Sequence, residues 1–508
     1  MKNEKKTASL LEQNANPLVL YLQKPAAEFT RTDLVRYMEA HDIHMLNFRY
    51  PGADGRLKTL NFVVTDRNYL DSVLAGGERV DGSSLFPYIE AGSSDLYVVP
   101  RYRSAFLNPF SSIPTLDILC SYFDKDGNPL ASAPDNVLRR AAEALSRRCG
   151  VRLDAMGELE YYLVSPKDTL YPAVDQRGYH EAAPFANWEN MRCEALYTIA
   201  RCGGLPKYGH SEVGNFIQDD LEYVQNEIEF MPTLITEAAD QLVIAKWILR
   251  QLGQKYGVLV TFAPKITVGK AGSGMHVHLR LMQGEKNVTS EAGGRLSDQS
   301  RRVIAGILDL APSLCAFGNT IPTSYLRLVP HQEAPTNICW GDRNRSVLVR
   351  VPLGWNAGED MASLANPGHQ PAPADLKADR QTFEFRSPDG SADVYMLLAG
   401  LLVAARHGLE MEDGLARAEK SYVQVNIFHN HDEIGKRGLR QLPDSCSRAA
   451  ACLEEQAEIY CRHGVFSQGI IEGVAKKLRS YSDSDLRSRL EGKPQEMQAL
   501  VNAFLHCG

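Results

Sequence analysis

Five short segments of this sequence set ionisable side chains two residues apart, the spacing that puts them on one face of a β-strand. In Gly157-Glu158-Leu159-Glu160-Tyr161 two carboxylates share a face. In the stretch from Gly272 to Arg280, Met275, Val277 and Leu279 point one way while His276, His278 and Arg280 point the other. Gln225-Asn226-Glu227-Ile228-Glu229, Arg345-Ser346-Val347-Leu348-Val349-Arg350 and Phe383-Glu384-Phe385-Arg386 repeat the pattern. Carboxylates with an occasional imidazole are the ligand set for Mg2+ or Mn2+, whereas zinc is more often met by several histidines or cysteines. Arginines beside them hold phosphate or carboxylate through paired N–H donors. Together they predict metal-assisted chemistry on an anionic substrate, most simply phosphoryl transfer. There is no GxxxxGKS/T loop, so a nucleotide has to be held by metal and arginine instead. One charged strand is usually the solvated face of an antiparallel sheet; five in one chain argue for a shared site.

The elements that must carry these residues fall into three stretches. Residues 1–27 read as a polar extension or short helix ending at Pro25. Residues 28–130 read as a small strand-rich domain. It opens on the helix-start pattern Thr30-Arg31-Thr32-Asp33, followed by strands Met45 to Tyr50 and Leu57 to Val64 and turns at Pro51-Gly52 and Asp54-Gly55. Residues 131–508 form the larger domain, with helices expected from Asn136 to Arg148 and from Glu237 to Tyr256. Its strands are charged on one face, unlike the continuous apolar runs of a doubly wound parallel sheet. The fold class is therefore α+β, with an antiparallel or mixed curved sheet whose concave side is polar. The last hundred residues read as helices and loops.

Composition narrows the partners. At 508 residues, 44% apolar and 23% charged, the chain is neither disordered nor a disulfide-stapled miniprotein. A net charge of -7 offers no field to gather nucleic acid or an anionic membrane. The ten cysteines run from Cys120 to Cys507 without a CxxC pair and read as reduced, mostly buried small hydrophobes. The apolar stretch Pro17 to Leu22 is too short for a signal peptide, and no run of about 18 apolar residues is present to span a bilayer. A cytoplasmic protein is expected.

The charged strands and their flanks resemble the glutamine synthetase family, in the family's order. Gly157-Glu158-Leu159-Glu160 resembles GxExE, Lys270 to His278 resembles NGSGMHxH, and Thr261-Phe262-Ala263-Pro264-Lys265 resembles TFMPKP. Asn344-Arg345-Ser346 through Arg350-Val351-Pro352 is similar to NRSxxxRIP, and Glu384 to Asp389 matches ExRxPD. Asp81-Gly82-Ser83-Ser84 matches a DGSS of the N-terminal domain. The resemblance implies a β-grasp N-terminal domain, a catalytic domain with a curved antiparallel sheet, and active sites between subunits of a ring-shaped homo-oligomer. It implies two steps: ATP phosphorylates the γ-carboxylate of glutamate, then ammonia or an amine displaces phosphate. Carried over by position, Glu160, Glu212 and Glu227 are expected to hold one Mg2+ or Mn2+, and Glu158, His276 and Glu384 the other. Gly272, Arg327 and Arg386 are expected to bind glutamate, His278 and Arg350 to meet ATP phosphates, and Arg345 the transferred phosphate. Glu333 matches a flap residue that takes a proton from the attacking ammonium.

Three departures bear on the reaction. The family's ammonium-binding aspartate, in a loop like FxDxxGxxK, aligns with Gly52, leaving Asp54 as the nearest carboxylate. Loss of an anion from a cation pocket weakens ammonium attraction and leaves room for a substituted amine. Ala271 replaces an asparagine that contacts glutamate, and the stretch Leu353 to Gln381 is about twenty residues longer than usual. Lys377 or Arg380 are candidates to replace its nucleotide contacts. Residues from about Asn215 to Val224 contain a further insertion. The expectation is a glutamate–ammonia ligase. A γ-glutamyl amine ligase is the near alternative, and a non-catalytic ring-forming homologue or a metal-dependent amidohydrolase the remote ones.

Overall fold

A computed structural model describes residues 13–86, 94–291, 293–329, 334–354, 361–368, 380–427 and 438–508. The first sheet runs, edge to edge, Leu57–Val63, Met45–Pro51, Thr115–Phe123, Asp95–Pro100 and Glu78–Asp81. Met45–Pro51 and Thr115–Phe123 are parallel and the other pairings along this path antiparallel, as a β-grasp requires. The helix Arg31–Ala40 starts at Thr30, whose side chain accepts from the Asp33 N–H while Asp33 accepts from Thr30 N, a capping box. Pro17–Leu22 is a helix rather than a loose extension: Leu18, Val19 and Leu22 are buried in the same apolar core as Leu34, Phe48 and Ile118.

The second sheet positions the charged strands. Its order is Trp340–Asp342, Val349–Val351, Phe383–Phe385, Met275–Gln283, Arg152–Pro166, Leu221–Phe230 and Pro206–Ser211. Along this path every pairing is antiparallel except Trp340–Asp342 with Val349–Val351. The 345–350 segment is strand only from Val349, with Arg345 in the turn before it. The insertion after Glu212 is a hairpin. Phe216–Gln218 folds back on Leu221–Tyr223 around Asp219 and Asp220, with Asp219 at φ 58°.

Helices cover the convex side. Pro134–Cys149 begins with proline at its first position and ends at Gly150, whose φ of 68° closes the last turn. It packs on Val394–Glu410, which also lies against Asp298–Gly318. Ile235–Tyr256 backs the Arg152–Pro166 strand. Asp240 on this helix accepts two bonds from Arg101, at 2.7 and 2.8 Å, and a third from the Tyr395 hydroxyl, which ties the N-terminal sheet to the catalytic helices. Residues 505–508 fill the remaining corner. Arg56 donates to His506 O, Arg250 to Cys507 O and Thr261 to Leu505 O. None of the ten cysteines is paired with another. Among the described residues no single helix is long and apolar enough to cross a membrane.

Candidate active site

Backbone register assembles the site in three rows across the sheet. His210, Glu227 and Glu160 are direct cross-strand neighbours, as are Tyr208, Glu229, Glu158 and His276 in the next row. Met156, His278, Glu384 and Arg350 make the third. Side chains alternate along each strand with period two, so the residues of all three rows emerge on one face. They line a single cavity of about 1210 Å³, together with Glu212, Gly272, Arg327, Arg345 and Arg386.

Glu158 is the centre. Its Oε1 lies 2.8 Å from His278 Nε2 and its Oε2 3.0 Å from His276 Nδ1. Burial pushes this carboxyl up, but the two imidazoles, His278 foremost, hold it well below the usual carboxylate range. His278 is shifted up despite burial because it faces Glu158, whereas burial, with Arg386 nearby, pushes His276 down. Glu227 goes the other way. Burial and the neighbouring Glu158, Glu160, Glu212 and Glu384 drive it well above the normal range, a repulsion that a bound cation relieves.

Two compact donor sets result. Glu158, His278 and Glu384 each offer an atom within 4.8 Å of the others, and so do His210, Glu212 and Glu227. The two sets the sequence suggested differ from these in one member each. Glu160 sits beside the second group with its Oε2 taken by Gly274 N–H at 2.8 Å and Gln225 Nε2 at 3.0 Å. His276 bridges the groups, 3.3 Å from Glu384 Oε1 and 3.9 Å from Glu160 Oε1. Carboxylates and imidazoles at this density fit one or two divalent ions of the Mg2+ or Mn2+ class.

The cations stand on the other side. Glu384 takes Arg350 Nη1 at 2.9 Å and Arg386 Nε at 2.9 Å. The buried Nε–H of Arg350 meets no acceptor among the described residues, which suits it to an incoming anion. Arg327 Nη1 donates to Ser387 O at 2.8 Å, and Nη2 lies 3.4 Å from His276 Nε2. Gly274 has to be glycine, because a Cβ there lies 2.7 Å from both Arg327 Nη2 and His276 Nε2. Gly272 is equally enclosed, by Pro264 O at 2.5 Å.

The departures have structural counterparts. Asp54 accepts from Lys58 Nζ at 2.6 Å and from Arg56 N–H at 3.1 Å; the 52–58 loop packs on residues 506–508 and does not line this chain's own cavity. Ala271 N–H donates to Gln176 Oε1 and Ala271 O accepts from Tyr162. Arg280 is held by Asp154 at 2.8 Å, and Arg380 lines the cavity. Glu333 and Lys377 lie outside the described residues. Sequence reasoning missed Tyr179, His180, Lys207 and Tyr208, which line the cavity beside Glu212 and Glu229. For Tyr208 the signal was available, since it stands two residues before His210 on the same strand face.

Comparison with known proteins agrees with this architecture. The chain matches "Glutamine synthetase, catalytic domain" over residues 131–478 and "Glutamine synthetase, beta-Grasp domain" over residues 42–125. A Mycolicibacterium smegmatis glutamine synthetase is 29% identical over 486 residues, covering 88% of this chain and 94% of its own. One from Thermotoga maritima is 28% identical, with 88% and 95% covered. Among solved structures, Plasmodium falciparum glutamine synthetase superposes with a TM-score of 0.73 at 18% identity, covering 91% of this chain and 98% of its own. Apo GmaS superposes with a TM-score of 0.72 at 19% identity, with 92% and 99% covered.

Proposed function

This chain belongs to the glutamine synthetase family, and on that premise we propose that it is an ATP-dependent ligase joining the γ-carboxylate of glutamate to ammonia or a primary amine. The observation that carries the reading is the three-row register, which sets eight carboxylate and imidazole side chains and Arg350 on one face, lining one cavity with Arg327, Arg345 and Arg386. The two donor sets, with Glu160 and His276 between them, would hold one or two divalent ions, and such ions would neutralise the phosphoryl charge.

The chain's own residues do the rest. Arg327 and Arg386 orient the glutamate carboxylates by paired donors, and Arg345 and Arg350 meet the phosphoryl oxygens. The γ-carboxylate oxygen of glutamate attacks the γ-phosphorus of ATP; the P–O bond to ADP breaks and an acyl phosphate forms. The neutral amine nitrogen then attacks the acyl carbon, the C–O bond breaks with its electron pair leaving on phosphate, and the nitrogen loses a proton. Glu333 is the proton acceptor that the family resemblance assigns. The 52–58 loop does not line this chain's own cavity, so on the family reading Asp54 would serve a neighbouring subunit's site in a ring-shaped homo-oligomer.

The test is phosphate release from Mg-ATP and L-glutamate, with hydroxylamine as a small trapping nucleophile. Formation of γ-glutamyl hydroxamate with stoichiometric phosphate is expected. No hydroxamate with either Mg2+ or Mn2+ refutes the ligase reading.

A further inference from the structure

The two sides of the cavity are chemically unlike. Arginines occupy the side of Glu384, where the two anionic substrates are read to bind. The opposite side, around Glu212 and Glu227, carries four rings and a cation, Lys207, which is paired with Glu229 at 2.7 Å. Tyr179 and His180 stack at a centroid distance of 4.2 Å, His180 lies 4.3 Å from His210, and Tyr208 lies 5.9 Å from His210. His210 in turn stands 3.3 Å from Glu227 and 3.8 Å from Glu212. The four rings therefore form one continuous wall ending at two carboxylates, and all six residues line the cavity. Tyr179 remains 52% exposed and Tyr208 45%, so neither ring is used in the core; Lys207 Nζ stands 4.9 Å from the Tyr208 ring centre and shows that this ring accepts a cation.

We propose that the amine acceptor is an organic primary amine with an apolar or aromatic body, its body along the wall of Tyr179, His180, Tyr208 and His210 and its nitrogen at the inner end of that wall, beside the ion-holding set of His210, Glu212 and Glu227. This rests on the ligase reading and names its second substrate. Anion and ring face together are the combination that recognises an organic ammonium, since the ring quadrupole attracts the cation and the ring surface covers its carbon chain. Free ammonium carries no carbon chain and gains nothing from a wall extending to Tyr208. The glycine at position 52, in place of an anion, removes the charge that would favour the bare ion. In the transfer, RNH3+ gives up one proton before attack and a second after the C–N bond forms. The products are the γ-glutamyl amide, ADP, phosphate and a proton.

The experiment compares kcat/KM, with product masses, for ammonium, methylamine, butylamine, benzylamine and 1,4-diaminobutane on the full-length protein, with hydroxylamine as the reference acceptor. At least one of the larger amines is expected to exceed ammonium by about tenfold, the scale of a desolvated ring contact. In His180→Ala and Tyr208→Ala the ratio of that amine to ammonium is expected to fall about fivefold or more, and His180→Phe is expected to restore it. Hydroxamate formation with ammonium preferred over every amine overturns this inference and leaves the ligase reading standing. An equal fall for all acceptors in both alanine variants overturns it too, since the rings then serve packing or subunit contact. Absence of hydroxamate in the wild type instead refutes the ligase reading itself. If an alanine variant does not fold, the wild-type acceptor ranking still decides.

Discussion

His278 Nε2 lies 2.8 Å from Glu158 Oε1 while its Nδ1 faces Thr382 Oγ1 at 3.0 Å, so the ring is braced from both ends. The hydroxyl holds the orientation of the ring toward the cavity, the role that outer partners play for ligating histidines. Thr382→Val keeps the shape and removes the brace. Divalent-metal affinity is expected to fall roughly 10- to 100-fold, measured by calorimetric titration with Mn2+. Unchanged affinity removes His278 from the ligand set.

Glu160→Ala is expected to abolish turnover while leaving assembly intact. The carboxylate is held by Gly274 N–H and Gln225 Nε2, and Gln225 lines the cavity, where water can replace the lost acceptor. Loss of kcat beyond the roughly 100-fold typical of an outer partner is expected, with an unchanged elution volume on size exclusion. Normal activity in this variant sinks the metal assignment.

Gly52→Asp is expected to shift preference from larger amines toward ammonium. A Cβ at position 52 meets Lys58 Cε at 2.5 Å and Asp54 Oδ1 at 3.1 Å, so the flexible Lys58 must swing and can pair with the new carboxylate. The readout is the ammonium-to-butylamine ratio of kcat/KM. An unchanged ratio refutes the role given to this loop.

Lys246 gives a pH dependence away from the site. It is buried, donates to Gly390 O at 2.6 Å, and burial, helped by Arg250, pushes its ammonium down to about 8 from 10.5. Below pH 8 folded and unfolded chains both carry the proton, and the full penalty of the buried charge is present. Between about 8 and 10.5 the unfolded chain binds the extra proton, so this residue's contribution to stability rises with pH. The gain approaches about 3 kcal/mol. Relative to Lys246→Met, the wild type is expected to gain thermal stability between pH 7 and pH 10; parallel curves refute it.

The strands were legible because their chemistry is periodic. Glu158, Glu160, Glu227, His276, His278 and Glu384 announce themselves by spacing, and their shared face followed from it. What spacing cannot give is register. Whether His276 or His278 sits beside Glu384 depends on which residues of the Met275–Gln283 and Phe383–Phe385 strands pair, and that is set by the whole sheet. The same holds for His210, which joins Glu212 and Glu227 only because Pro206–Ser211 pairs with Leu221–Phe230. The ring at His180 was hidden for another reason. It lies in a stretch without periodicity, and its N–H reaches Ser211 O, thirty-one residues on. For residues 1–27 the sequence left extension and short helix open, because six residues are too few to show an amphipathic pattern; Pro17–Leu22 is the helix, with three of its residues buried.

The Phe216–Tyr223 hairpin marks where this sheet tolerates changes of length. One residue added inside any strand of the three rows turns its carboxylates and imidazoles to the opposite face, and every row that crosses the strand loses a member at once. Residues added at the Asp219-Asp220 tip only lengthen a two-stranded arm, because the pairing of Gln225 to Glu229 with Glu158 to Tyr162 is fixed beyond it. Variation in size should therefore accumulate at such tips across relatives, while the distance along the chain from Gln225 to Phe230 stays invariant.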